Sequence, residues 1–355
     1  ETGPALCMFI DKKASTMLKL GLLKTKFHSP PSPTHMVRRP HLVQKLSDGL
    51  ALNRPLTLVS APAGFGKTSC VTEWLQRLDG WSTAWLSLDT ADDDPGRFFA
   101  YLIRALQKLS PKIGQAVSGM LHTGQLPPAE AISTALINDM LELEGEPGVP
   151  FLLILDDFHV IQDPLILQVL QQMLDNMPPH LHLVFITRED PPLPLARLRA
   201  GNRLTEIRAS DLRFRSAEAE QFLNERLGLS LSPAAVSRLE EKTEGWIAGL
   251  QLAAIALQGT KSTHERLDSA RFIDALSGSH RFILDYLTEQ VLDRQPPEIR
   301  HFLLQTSVLD RLHGDLCDAI TGREDSFSLL ERLFNANLFL IPLDDQGQWY
   351  RYHHL

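Results

Sequence analysis

The sequence predicts an α/β unit built on a parallel sheet, followed by an all-α helical domain and then a winged-helix domain. Three observations carry this expectation. Up to about Arg208, short apolar runs alternate with segments of helical periodicity, and strands that alternate with helices pair in parallel through crossover helices. Beyond Arg208 the strand signals stop and helix signals take over. The last stretch joins several short helices to a hairpin pattern, the order of a winged helix.

The elements follow in order. Residues 28–40 carry Pro30, Pro31, Pro33 and Pro40 and few periodic apolar positions, an extended lead-in after which a domain begins. Leu56–Ser60, Thr83–Leu88, Phe151–Leu155, Leu181–Thr187 and Leu204–Ile207 read as strands. Between them Phe98, Phe99, Leu102, Ile103, Leu106 and Leu109 recur at helical spacing behind an Asp94 cap and Pro95 in the first turn. Leu165, Ile166, Val169, Leu170, Met173 and Leu174 repeat that pattern. Ser216–Leu227 reads as a helix stopped by Gly228, Ser232-Pro233 starts another, and an apolar helix follows from Trp246. Leu338–Leu343, the turn Asp344-Asp345-Gln346-Gly347 and Gln348–Tyr352 form the terminal hairpin. The expected divisions are a leader at 1–30, a nucleotide-binding unit at 31–209, a helical domain at 210–280 and a winged-helix domain at 281–355. Glu1–Gly3 lack an initiating Met and read as a non-native remnant.

Composition excludes several classes. Hydrophobic residues at 43% and charged residues at 22% give a soluble globular balance. The most apolar stretch, Trp246–Leu257, is broken by Gly249 and Gln251 and is too short to cross a bilayer, so no membrane partner is expected. Cys7, Cys70 and Cys317 are odd in number and lack metal spacing, which reads most simply as a reduced cytoplasm. The 13 histidines include no ligand pair at zinc spacing, so no structural metal is expected. A formal net charge of -8 argues against a dedicated nucleic-acid surface. The arginines from Arg197 to Arg215 are interrupted by Glu206 and Asp211 and lack an aromatic platform, so they read as a solvated or interdomain face.

The chemistry concentrates in three places. Ala61–Thr68 follows a strand, opens a helix and fits G-x-x-x-x-G-K-[ST] except that Ala61 replaces the first glycine. Backbone N–H groups of such a loop turn toward phosphate oxygens, so Ala63, Gly64, Phe65, Gly66, Lys67, Thr68 and Ser69 are the expected nucleotide contacts. Lys67 is expected to reach the β- and γ-phosphates, and the Thr68 hydroxyl to ligate Mg2+. The second place is the apolar strand ending in Asp156-Asp157: Asp156 is the Mg2+ ligand and Asp157 the group that orients or deprotonates an attacking water. The third is Thr187-Arg188, where Arg188 faces the γ-phosphate if its strand lies between the other two; the alternative is a surface arginine paired with Glu189 or Asp190. The α/β unit is thus a P-loop nucleotide triphosphatase fold, with ATP or ADP and Mg2+ as its cofactors and Lys67, Asp157 and Arg188 as its catalytic set.

With these residues placed, the chain from Leu22 to Leu355 resembles the STAND class of signal-transduction ATPases, and within it the MalT-like, LuxR-type transcriptional regulators. The resemblance rests on Val37-Arg38-Arg39-Pro40, Ala61–Thr68, Asp156-Asp157, Thr187-Arg188-Glu189-Asp190-Pro191-Pro192, Glu244-Gly245-Trp246 with Gly249-Leu250, and Tyr350-Arg351-Tyr352-His353-His354-Leu355. It implies that Val37 and Arg39 lie against the base, and that Gly245-Trp246 stands where the class carries a Gly-x-Pro motif, here without the proline. It implies that His353 touches the β-phosphate of ADP and locks a closed form; a buried structural histidine is the other reading of that position. Inducer and DNA are then bound by C-terminal regions outside this sequence. The expected function is a switch: ADP holds a closed monomer, ATP with an upstream signal favours an open, self-associating form, and slow ATP hydrolysis resets it. A DNA-remodelling or loader ATPase with rapid turnover is the alternative, disfavoured by the acidic balance and by Asp344 and Asp345 at the wing tip.

Overall fold

The structure, a computed structural model, describes residues 22–122, 126–142, 150–260, 273, 281–344 and 346–353. Part of the leader (1–21, with Cys7), Asp345 and the terminal His354-Leu355 lie outside the described residues.

Helix α1 (Pro40–Ala51) opens with proline at its first position and precedes strand β1 (Leu56–Ser60), every residue of which is buried. The glycine-rich loop leads into α2 (Lys67–Leu75), then β2 (Ser82–Ser87). Next come α3 (Pro95–Leu106), whose Asp94 carboxylate accepts from the Arg97 N–H, then α4 (Gln115–His122) and α5 (Ala129–Leu141). Strand β3 (Phe151–Asp156) is followed by α6 (Pro164–Asp175), capped by Asp163, then β4 (Leu181–Thr187), α7 (Leu195–Ala200) and β5 (Leu204–Arg208). The five strands are all parallel in the order β2-β3-β4-β1-β5.

Alternation along the strands feeds two cores. Leu153, Leu155, Leu183 and Phe185 pack with Phe98 and Ile166 on one face, while Leu152, Ile154, Val184 and Ile186 pack with Leu46, Val71 and Trp74 on the other. A sheet covered on both faces exposes its strand ends as the free edge. Register aligns those ends: Ser60 pairs with Thr187 and Asp156 with Ile186, so the loop after β1, the aspartates after β3 and Arg188 after β4 emerge together. Strand β4 lies between β3 and β1, which meets the condition set for Arg188.

Past β5 the chain is helical. Helix α8 (Ser216–Glu220) runs into a π-helical turn (Gln221–Arg226), where the sequence predicted one uninterrupted helix. Helix α9 (Pro233–Thr243) is capped by Ser232 and ends at left-handed Glu244 and Gly245, and α10 is Ile247–Thr260. Helix α11 (Arg281–Leu287) continues into a second π-helical turn, Thr288–Leu292. Ile283 and Val37 both bury in the cluster formed by Leu223, Leu239 and Leu250, which ties the lead-in segment and α11 to the helical part.

The last part contains α12 (Pro297–Thr306), α13 (Gly314–Thr321), α14 (Ser326–Asn335) and the antiparallel hairpin of β6 (Leu340–Pro342) and β7 (Tyr350–Tyr352). Phe302, Leu312, Leu330 and Tyr350 form its core. The Asp344 carboxylate accepts from the N–H groups of Gln348 and Trp349, both at 3.0 Å, so its role is to close the turn. No helix among the described residues is long and apolar enough to cross a membrane.

Candidate functional site

The loop after β1 adopts a conformation that side chains oppose. Gly64 and Gly66 have φ of +78° and +77°, and a Cβ on Gly64 would stand 2.5 Å from the Cβ of Ala248. The loop is therefore both left-handed and tightly covered. At its end, the Lys67 ammonium is buried and donates to the carbonyl oxygens of Ala61 (2.8 Å) and Pro62 (2.9 Å). Burial, helped by repulsion from Arg188 and opposed by Asp157 and Asp156, brings its pKa down to about 8. The Thr68 hydroxyl donates toward Asp156 at 3.3 and 3.4 Å. Burial and the neighbouring Asp157 push the Asp156 carboxyl up to about 7, while the Asp157 N–H donates back to it at 3.0 Å.

Asp157 itself takes left-handed backbone (φ +58°) and leaves its carboxylate half exposed. It lines a cleft of about 190 Å³ with Ala63, Gly64, Gly66, Lys67, Thr68, Ser69 and Arg188. Arg188 donates to the Gln290 carbonyl at 3.2 Å, while Asp190 pairs with Arg208 and Arg199 instead.

The side chains of four other expected contacts do not line this cleft. Val37 is buried in the helical cluster. The Arg39 guanidinium donates to the carbonyls of Leu212 (2.7 Å), Asp211 (2.9 Å) and Arg213 (2.8 Å) and pairs with Glu218 at 3.0 Å, while its N–H meets the Glu73 carboxylate. Arg39 is thus occupied in tying the α/β part to the helical part. Phe65 is 2% exposed and packs on Phe339 with ring centroids 6.3 Å apart. The buried His353 ring sits 6.1 Å from Trp246 and 5.8 Å from Phe339.

Of what covers the cleft, the sequence singled out Trp246 and missed Tyr286, Ala248 and Asn337. Tyr286 lines it from α11. The Trp246 indole N–H donates to the Ala63 carbonyl (3.0 Å) and the Ala248 N–H to that of Gly64 (3.1 Å). From the hairpin part, the Asn337 amide donates to Ser60 Oγ (3.0 Å) and to the Arg188 carbonyl (2.9 Å). Asn337 and Phe339 are left-handed at +52° and +56°, a conformation asparagine accepts more readily than most residues. No local pattern marks Tyr286 or Asn337, because each acquires its place from packing more than a hundred residues away.

The donor set suits a nucleotide and a hard cation. A cradle of turned backbone, a buried ammonium resting on carbonyls, and a hydroxyl beside a carboxylate are groups that bind phosphate and Mg2+.

Comparison with known proteins agrees. Residues 38–186 match the AAA ATPase domain family and residues 288–355 the MalT winged helix domain. Over 335 residues the sequence is 35% identical to the HTH-type transcriptional regulator MalT of Cronobacter sakazakii, covering 94% of this chain. The chain is MalT-like. It spans 36% of that relative's length. Among solved structures, a Walker-type ATPase of Pyrococcus abyssi aligns with a TM-score of 0.59 at 16% identity, over 92% of this MalT-like chain and 97% of the archaeal one. At that identity the likeness concerns the fold alone, and it agrees with the parallel P-loop sheet. The winged-helix match begins at residue 288, within the π-helical turn that carries Gln290.

Proposed function

We propose that this chain is the nucleotide-controlled switch core of a MalT-like transcriptional regulator, with ADP holding the closed form and ATP, together with an upstream signal, supporting an open, self-associating form. One observation carries the reading: the phosphate-binding loop is covered from both other parts of the chain, by Trp246 and Ala248 on one side and by Asn337 on the other. A ligand in that loop is then enclosed, and its presence bears on how the parts sit together.

Lys67 exchanges two carbonyl acceptors for phosphate oxygens when nucleotide arrives, trading neutral acceptors for charged ones. Thr68 and Asp156 would hold Mg2+, which neutralises charge on the phosphates. Asp157, half exposed beside them, orients or deprotonates the attacking water. Arg188 sits at the end of the central strand, where it distinguishes a triphosphate from a diphosphate by charge. His353 acts through the aromatic cluster it shares with Trp246 and Phe339. DNA and inducer belong to regions beyond this sequence, and hydrolysis is slow, resetting the switch.

The test is a pair of substitutions. Lys67→Ala abolishes binding of ADP and ATP, whereas Asp157→Asn keeps binding and slows phosphate release. Equal loss of binding in both contradicts the assigned roles.

A further inference from the structure

Helix α11 sends Tyr286 into the phosphate-loop cleft, which it lines together with Gly64, Gly66, Lys67, Thr68 and Arg188. Its partly buried ring packs edge-on against Trp246 with centroids 5.5 Å apart, and Trp246 is itself fixed by its bond to the Ala63 carbonyl (3.0 Å). The packing accounts for the ring and leaves the hydroxyl. A Cβ on Gly64 would stand 2.9 Å from that hydroxyl oxygen, so the phenol lies directly against the loop. Among the described residues the hydroxyl forms no hydrogen bond. A tyrosine packed this closely ordinarily gives its O–H to a partner.

The surroundings say what that partner is. Lys67 and Arg188 bring positive charge to the same cleft, and Asp157 brings a carboxylate. Burial raises the Tyr286 pKa, with Arg188 and Arg294 pulling the other way, so the phenol keeps its proton and is a donor at neutral pH. A donor hydroxyl beside a buried ammonium and a guanidinium suits an anionic oxygen. Four residues further on, the Gln290 carbonyl accepts from Arg188 at 3.2 Å, so α11 and the π-helical turn after it lie across both the loop and the end of β4. Tyr286 therefore reaches the cleft by way of the docking that closes the molecule.

We propose that Tyr286 is a nucleotide-binding residue of the closed form, its hydroxyl donating to a β-phosphate oxygen held in the loop. The inference rests on the nucleotide reading above and deepens it. The β-phosphate is common to ADP and ATP, so Tyr286 ties retention of nucleotide to closure and leaves the distinction between the two to Arg188. When α11 moves off the loop the contact is lost, and nucleotide is held less tightly. By linkage, ADP in the loop favours the form in which Tyr286 reaches it.

The experiment is calorimetric titration of ADP with Mg2+ into the whole 355-residue chain, freed of nucleotide, and into Tyr286→Phe. Thermal melts of both proteins without nucleotide accompany it. Phenylalanine keeps the ring against Trp246 and removes the hydroxyl alone. Loss of a hydrogen bond to a charged group predicts ADP affinity lowered about tenfold or more. The melting temperature without nucleotide stays at the parent value, because the hydroxyl has no bond within the described protein to lose. Unchanged ADP affinity in Tyr286→Phe overturns the inference and leaves the nucleotide reading intact. A loss of affinity accompanied by a lower melting temperature without nucleotide assigns the hydroxyl to the fold, and overturns the inference as well. Failure of the parent chain to bind ADP overturns both.

Discussion

Asn337 offers the sharpest perturbation of the closed form. Its amide makes two hydrogen bonds into the α/β part, to Ser60 Oγ and the Arg188 carbonyl, and its backbone is left-handed at φ +52°. Asn337→Gly removes both bonds while keeping the residue type that tolerates this backbone best. At about 1 kcal/mol per hydrogen bond, docking of the hairpin part weakens by about 2 kcal/mol, which raises the open fraction about thirtyfold. If nucleotide leaves from the open form, release of a fluorescent ADP analogue chased with excess ADP accelerates by a similar factor. Asn337→Ala loses the same bonds and adds about 1 to 2 kcal/mol of backbone strain, so it releases faster still. A release rate within twofold of the parent in Asn337→Gly would mean that the winged-helix part does not gate the nucleotide.

Three further outcomes follow from the geometry. His182 is buried, with Nδ1 facing the Arg54 carbonyl (2.6 Å), so that nitrogen carries the proton and Nε2 accepts from Thr57 (2.8 Å). Burial lowers its pKa to about 4; the unfolded chain therefore binds the proton first, stability is full above about pH 6.5, and up to about 3 kcal/mol is lost as pH falls toward 4. His182→Gln flattens that part of a pH series of melting curves. Arg39→Lys, which cannot span three carbonyls and Glu218, lowers stability by about 2 kcal/mol in thermal melts, whereas Arg38→Lys at the exposed neighbouring position does not. Gly64→Ala meets Ala248 at 2.5 Å and a φ of +78°, so both nucleotide affinity and melting temperature fall.

The sheet was legible because its strands are buried on both faces and read as short apolar runs; the boundary of β2 moved by one residue, to Ser82–Ser87, through its pairing with Phe151–Asp156. The phosphate loop, the paired aspartates and Arg188 were legible because each is a short pattern at a strand end. Of what covers them, Trp246 was named from the sequence and the rest was not. Arg39 read as a base contact, yet its guanidinium reaches carbonyls around Leu212 that only the folded chain brings near. Tyr286, Gln290 and Asn337 lie in helices and turns with no local signature, and the π-helical turn that aims Gln290 is invisible to a 3.6-residue period.

The measurement that bears most directly on the central claim is denaturation of the purified protein, with the released nucleotide identified by ion-exchange chromatography. A closed switch with its loop covered by Trp246 and Asn337 predicts ADP at close to one equivalent per chain. An empty site that exchanges freely and turns over added ATP rapidly would contradict the account.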